Sequence, residues 1–144
     1  DFIQEVITEA EGRNLMTASS LLIEGILLFS QEKYDEADGV FTRSIDSGKI
    51  VPGVYYYRGL TRMANKKYEE AVADFTEALN YEEDKLSCIF NRGVCYFALE
   101  KDEEAKKDLT YVVEDGTDPS LTASSLELLK TIEEMERAEE ENKS

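Results

Sequence analysis

Glycine recurs at intervals of 34 residues, at Gly25, Gly59 and Gly93, each time inside a stretch whose apolar residues follow a helical period. A glycine in a helix interior costs roughly 1 kcal/mol relative to alanine, so a repeated one needs a repeated reason. Other positions fall into the same register. Tyr34 and Tyr68 match, with Asp102 breaking the series; Ala37, Ala71 and Ala105 match throughout. Phe41 and Phe75 are followed by Leu109, and Ser44 and Ala78 by Val112. A fixed period in the range of about 20–50 residues signals stacked supersecondary units.

Each copy divides into two helical segments. In the second copy Tyr55, Tyr56, Leu60 and Met63 keep a helical period, the turn "ANKK" intervenes, and Tyr68, Ala71, Val72, Phe75, Ala78 and Leu79 resume it. Gly59 and Ala71 are small enough for two antiparallel backbones to approach closely, while Tyr68 and Phe75 fill the space around them. A close contact made in every copy offsets the propensity cost of the glycine.

This pattern resembles the tetratricopeptide repeat family. The residues carrying the resemblance are Gly25, Gly59, Gly93, Tyr34, Tyr68, Ala37, Ala71, Ala105, Phe41, Phe75 and Ala78, over roughly residues 18–119. Departures are Leu21, Tyr55 and Ile89 where the family has tryptophan, Asp102 at the tyrosine position, and no repeat-closing proline after Leu79. The resemblance implies an all-α right-handed superhelical solenoid of helix-turn-helix repeats. Repeat 1 spans 18–51, repeat 2 spans 52–85 and repeat 3 spans 86–119.

Both ends extend this scheme. In residues 1–17, Ile3, Ile7 and Ala10 keep the register of a repeat's second helix, so a leading helix is expected there, as the end of a degenerate copy. Residues 120–144 form a C-terminal capping helix and acidic tail, with Asp118 as N-cap and Pro119 at the first helical position. Leu121, Leu126, Leu129, Ile132 and Met135 are expected on its apolar face, the polar outer face being what closes a solenoid.

The net charge of −16 repels phosphate backbones and anionic headgroups, which disfavours nucleic-acid binding. The chain has no histidine, which removes the commonest general base and most zinc sites. Cys88 and Cys95, seven residues apart on one helix, are separated by a rise of about 10 Å, too far for a disulfide. They read as core residues of a reduced compartment, which favours the cytoplasm; an extracytoplasmic mature form with its signal removed is the alternative. The start at Asp1 is consistent with a mature form or an excised piece. No apolar run reaches the length of a membrane span. The acidic stretches lack the alternate-oxygen spacing of a calcium loop, and "DSGKI" lacks the flanking residues of a phosphate loop. No catalytic site, metal or cofactor is expected.

What the pattern leaves is a surface for another protein or peptide. The resemblance implies that the first helix of each repeat lines a concave groove where such proteins bind partners. Leu22, Ile26 and Phe29, then Tyr56, Leu60 and Met63, then Phe90, Val94 and Phe97 form an apolar stripe at the groove positions, with only Arg62 expected to lean toward it. The family variant that grips acidic chaperone tails uses a clamp of lysines, asparagines and an arginine. Leu22, Ile26, Tyr57 and Asn91 stand at clamp positions here, so that clamp is absent.

The expected function is therefore a non-enzymatic adaptor or scaffold binding an apolar or amphipathic peptide or helix. The alternatives are a self-associating, architectural module whose groove a terminal helix fills, or an accessory domain of a larger protein. Finally, Arg58 and Arg92 occupy equivalent places, as do Asp74 and Asp108, whereas the first copy has Glu24 and Val40. That joint occurrence predicts Arg58–Asp74 and Arg92–Asp108 ion pairs tying together the two helices of repeats 2 and 3.

Overall fold

The computed structural model describes residues 1–81 and 84–143, and its contacts divide the chain into two units, Asp1–Glu83 and Asp84–Ser144. Unit 1 holds α1 (Phe2–Ser30), α2 (Tyr34–Asp46), α3 (Val54–Ala64) and α4 (Tyr68–Ala78), followed by a short 3₁₀ turn at Leu79–Tyr81. Unit 2 holds α5 (Lys85–Ala98), α6 (Asp102–Asp115) and α7 (Pro119–Lys143). Among the described residues there is no strand. The helices pair as α1 with α2, α3 with α4 and α5 with α6; α2 also packs on α3, and α6 on α7.

The three turns inside the pairs are built alike. Glu32, Lys66 and Glu100, again 34 residues apart, take left-handed backbone conformations with φ of 60°, 62° and 60°. In each turn this residue's N–H reaches back to the carbonyl of Phe29, Met63 or Phe97. The next N–H reaches Leu28, Arg62 or Tyr96, at 3.0, 2.7 and 2.9 Å. This double bond pattern satisfies carbonyls that a helix end otherwise leaves unpaired. Glycine usually occupies the left-handed position, and none stands there in this chain.

The recurring glycines sit where the paired helices meet. A Cβ on Gly59 would lie 2.8 Å from Cε1 of the fully buried Phe75, and one on Gly25 would run into the ring of Phe41. At Gly93 the neighbours are Leu109 at 3.2 Å and the Cβ of Asp108 at 3.1 Å. The ring of repeat 1's second helix occupies the volume that a side chain on its first helix would need. Around it Ala18, Ala37, Phe41, Val51 and Val54 form the buried cluster.

Two features differ from the sequence expectation. No turn separates residues 1–17 from repeat 1: α1 runs through as one helix, because Asn14–Thr17 contain no breaker and Gly12 alone does not end a helix. On α7 the docked face is Ser125, Leu128, Leu129 and Ile132, whereas Leu126 is 52% exposed and Met135 46%. Leu126 is one residue, hence about 100° of helix rotation, away from the fully buried Ser125, so it turns off the docked face. The start of α7 follows the expectation, with Asp118 Oδ1 accepting from the Leu121 N–H at 3.1 Å.

Ser125 is fully buried and its Oγ has no hydrogen-bond partner. An unsatisfied buried hydroxyl costs about 1–3 kcal/mol, so Ser125→Ala is expected to raise the melting temperature by a few degrees. A lower melting temperature in thermal denaturation would show that the hydroxyl contributes a bond.

Candidate functional site

The apolar stripe residues are all half-buried, neither open side chains nor core. In unit 1, Leu22, Ile26 and Phe29 of α1 rest on the Ala18–Phe41–Val54 cluster, and the Phe29 ring lies 5.7 Å from that of Tyr34. On α3, Tyr56 meets Tyr57 edge-on at 5.6 Å and Phe75 at 5.9 Å. Tyr56 is therefore partly a packing residue of repeat 2. Leu60 and Met63 continue its face. In unit 2, Phe90 and Phe97 rest on Ala105, Leu109 and Ile132. Beside Phe97 lies a shallow depression bounded by Met135, Glu100, Asp102 and Glu139, so the surface there is apolar with an acidic edge.

At the clamp positions, Tyr57 stacks on Phe41 at 6.4 Å and the Asn91 side-chain amide donates to the Ser87 carbonyl at 2.9 Å. Both groups are turned into their own unit's packing.

The charged residues organise differently from the stripe. Arg58 donates from Nε and Nη2 to Asp74 at 3.0 and 2.7 Å, a bidentate grip across α3 and α4. Arg62 does not lean toward the stripe: it donates Nη1 to Asp74 at 3.0 Å, and Nε and Nη2 to Asp38 at 3.0 and 3.3 Å. The acidic partners draw it to the other side of α3, because a half-buried guanidinium needs its donors satisfied. Thr42 closes the circuit, receiving Arg58 Nη1 at 3.1 Å and donating to Asp38 at 3.4 Å. Arg58, Asp74, Arg62, Asp38 and Thr42 thus form a closed ring joining α2, α3 and α4. Burial works against the charge of Arg62, but the Asp38 hydrogen bond and the charges of Asp74, Asp38 and Glu70 outweigh it and raise its pKa.

In unit 2, Arg92 grips Asp108 through Nε and Nη2, both at 2.8 Å, and that bond is the main reason its pKa is raised. Lys106 of α6 reaches Glu136 of α7 at 2.9 Å and Glu103 at 3.0 Å; those hydrogen bonds, Glu136 first, raise its pKa. Cys88 and Cys95 are buried and not joined in a disulfide, and burial pushes the Cys95 thiol up to about 12, which keeps it protonated and unreactive. Among the described residues no group of three or more His, Cys, Asp or Glu side chains is placed to hold a metal ion. Nor is any helix long and apolar enough to cross a membrane.

Residues 52–85 match the family model described as a tetratricopeptide repeat. The structure resembles the first tetratricopeptide domain of Spaghetti (RPAP3) bound to the HSP90 peptide SRMEEVD. The TM-score is 0.71 at 30% identity, covering 83% of this chain and 93% of that one. The chain belongs to the tetratricopeptide repeat family. Its fold class is that family's all-α helical solenoid, with α7 as the C-terminal helix.

The second such domain of human RPAP3, in complex with the HSP70 peptide SGPTIEEVD, is also similar to this tetratricopeptide chain. There the TM-score is 0.72 at 26% identity, covering 83% of this chain and 98% of that one. PcrH from Pseudomonas aeruginosa shares the fold, with a TM-score of 0.70 at 17% identity over 81% of this chain and 91% of its own. Comparison with curated proteins returns no matching sequence.

Proposed function

We propose that this chain is a non-enzymatic protein-interaction adaptor whose first-helix stripe takes up the apolar face of a peptide or helix. Two similar domains are described in complex with HSP90 and HSP70 peptides. The observation that carries the finer reading is the composition of the stripe. Leu22, Ile26, Phe29, Tyr56, Leu60 and Met63 in unit 1, and Phe90, Val94 and Phe97 at the equivalent positions of unit 2, include no cation. With Arg62 bound by Asp38 and Asp74, the stripe has no guanidinium to offer a carboxylate. An acidic tail such as SRMEEVD therefore finds apolar side chains on a protein of net charge −16. The preferred ligand gains from apolar burial, at about 25 cal/mol per Å², and from basic residues beside its apolar face.

The test is affinity capture with mass spectrometry to name the partner, followed by titration of the purified pair. Tyr56→Ala would disturb Phe75 as well as the surface, so the informative variant is Leu60→Ala with Met63→Ala. Affinity is expected to fall about tenfold or more, with helical content unchanged. Unchanged affinity in that variant, or tight binding of SRMEEVD to the parent, would place the working surface elsewhere.

A further inference from the structure

The tyrosine series breaks once, at Asp102, and the break leaves a space. Tyr34, Tyr68 and Asp102 stand 34 residues apart at the first positions of α2, α4 and α6. Phe29, Met63 and Phe97 are likewise equivalent, near the ends of α1, α3 and α5. In repeat 1 the tyrosine covers its partner, the rings of Phe29 and Tyr34 lying 5.7 Å apart. Aspartate is too short to cover Phe97 in the same way. Beside Phe97 lies instead the depression of about 460 Å³, lined also by Ala98, Glu100, Asp102, Met135 and Glu139, with room for a long side chain. We infer that this notch is a subsite for an arginine side chain of a partner peptide, its stem on Phe97 and Met135 and its guanidinium toward Asp102. Phe97 belongs to the stripe, and the peptide carrying the arginine is the one proposed for it, so the subsite rests on that reading.

The apolar part of the notch suits a stem. Phe97 is half-buried against Ala105, Leu109 and Ile132, which gives a fixed floor. Met135 is 46% exposed and supplies a wall from α7 that the docking of that helix leaves uncovered. An aliphatic stem laid there would occupy the kind of space that Tyr34 fills in repeat 1.

Charge selects the head group. Glu100 from the α5–α6 turn, Asp102 from the first turn of α6 and Glu139 from α7 line the notch, and the lining contains no cation. Among the described residues none of these three carboxylates takes up a hydrogen bond or an ion pair. Lys106, one turn along α6, is engaged by Glu136 and Glu103, and Arg137 by Glu133. Asp102 is half-buried, so its charge is screened less than that of an open surface carboxylate. A wholly apolar side chain would fill the notch but desolvate Asp102 without giving it a partner. An acidic one would be repelled. Arginine combines a long stem with a fork of donors that can serve carboxylates on more than one side.

The probe is n-butylguanidinium, an arginine side chain without its peptide groups, titrated into the whole chain and followed by the amide NMR shifts of residues 97–102 and 135–139. Its controls are n-butylurea, which keeps the shape without the charge, and guanidinium, which keeps the charge without the stem. Butylguanidinium is expected to bind with a Kd of about 1 mM, at least about fivefold more tightly than either control. Asp102→Asn removes the charge at nearly constant shape, and Asp102→Tyr restores the residue of repeats 1 and 2 and fills the notch. Each should weaken binding at least about fivefold. Leu60→Ala with Met63→Ala should leave it unchanged, so that loss of the stripe and loss of the notch are read separately. Equal binding by butylurea, shifts scattered over the acidic surface, or undiminished binding in the Asp102 variants would overturn the subsite and leave the test of the stripe standing. So would a dimer in sedimentation that Asp102→Tyr dissociates, since the notch would then belong to a second copy.

Discussion

Replacing Asp74 with alanine is expected to destabilise unit 1 by about 3–5 kcal/mol, the penalty typical of breaking a buried ion pair from one side. Asp74 is 2% exposed and accepts three hydrogen bonds from two guanidiniums. Without it Arg58 keeps only Thr42 among its ring partners, while Arg62 keeps Asp38 and Glu70. Removing Arg58 as well, as Asp74→Ala with Arg58→Met, should recover part of the loss, since the stranded charge is what makes the single change severe. Thermal or urea denaturation of both variants provides the measurement. A loss of only about 1 kcal/mol in the single variant, the scale of a surface pair, would show that water replaces Asp74 without difficulty.

The second large effect has the opposite sign from the usual expectation. Alanine for glycine inside a helix ordinarily stabilises by about 0.5–1 kcal/mol. Gly39, in the middle of α2, has open space around an added Cβ, so Gly39→Ala should follow that rule. Gly25→Ala should instead lose about 2 kcal/mol, because the methyl group meets the fully buried Phe41 ring, which cannot turn aside without disturbing its own packing. The melting temperatures of the two variants should move in opposite directions. Stabilisation by both would mean that the ring yields and the spacing of the glycines has another cause.

Much of this was legible because repetition compares the chain with itself. Gly25 opposite Phe41 and Gly59 opposite Phe75 could be read from residues recurring together, and so could the choice of Asp74 and Asp108 as partners for Arg58 and Arg92. Their depth could not, since an aspartate reads as surface until its neighbours are known. Arg62 was misplaced for a related reason. Its partner Asp38 lies in the preceding copy, and neither has an equivalent, Tyr96 and Val72 standing 34 residues on. On α7 the apolar residues drew attention to Leu126, while the docked face also takes in the fully buried Ser125, a polar residue that hydrophobic periodicity passes over. The stripe was legible as composition, but its half-buried state depends on how Tyr56 and Phe97 pack against their own units. Glu32, Lys66 and Glu100 gave no signal at all: without a glycine, nothing in residue type announces a left-handed turn.

Those three turns also bear on how such a chain can change in length. Each occupies three residues, 31–33, 65–67 and 99–101, and each holds both of its backbone bonds through one left-handed residue. One added residue would remove that geometry and rotate the following helix by about 100°, turning Phe41 or Phe75 away from its glycine. Connections between the helix pairs place their left-handed residues on glycine, at Gly48, Gly53 and Gly116, and differ in length: seven residues, 47–53, join α2 to α3, and three, 116–118, join α6 to α7. Insertions, deletions and grafted sequences should therefore be tolerated better in the seven-residue link at 47–53 than within the three-residue turns, making the phase of each helix pair a heritable property of its turn.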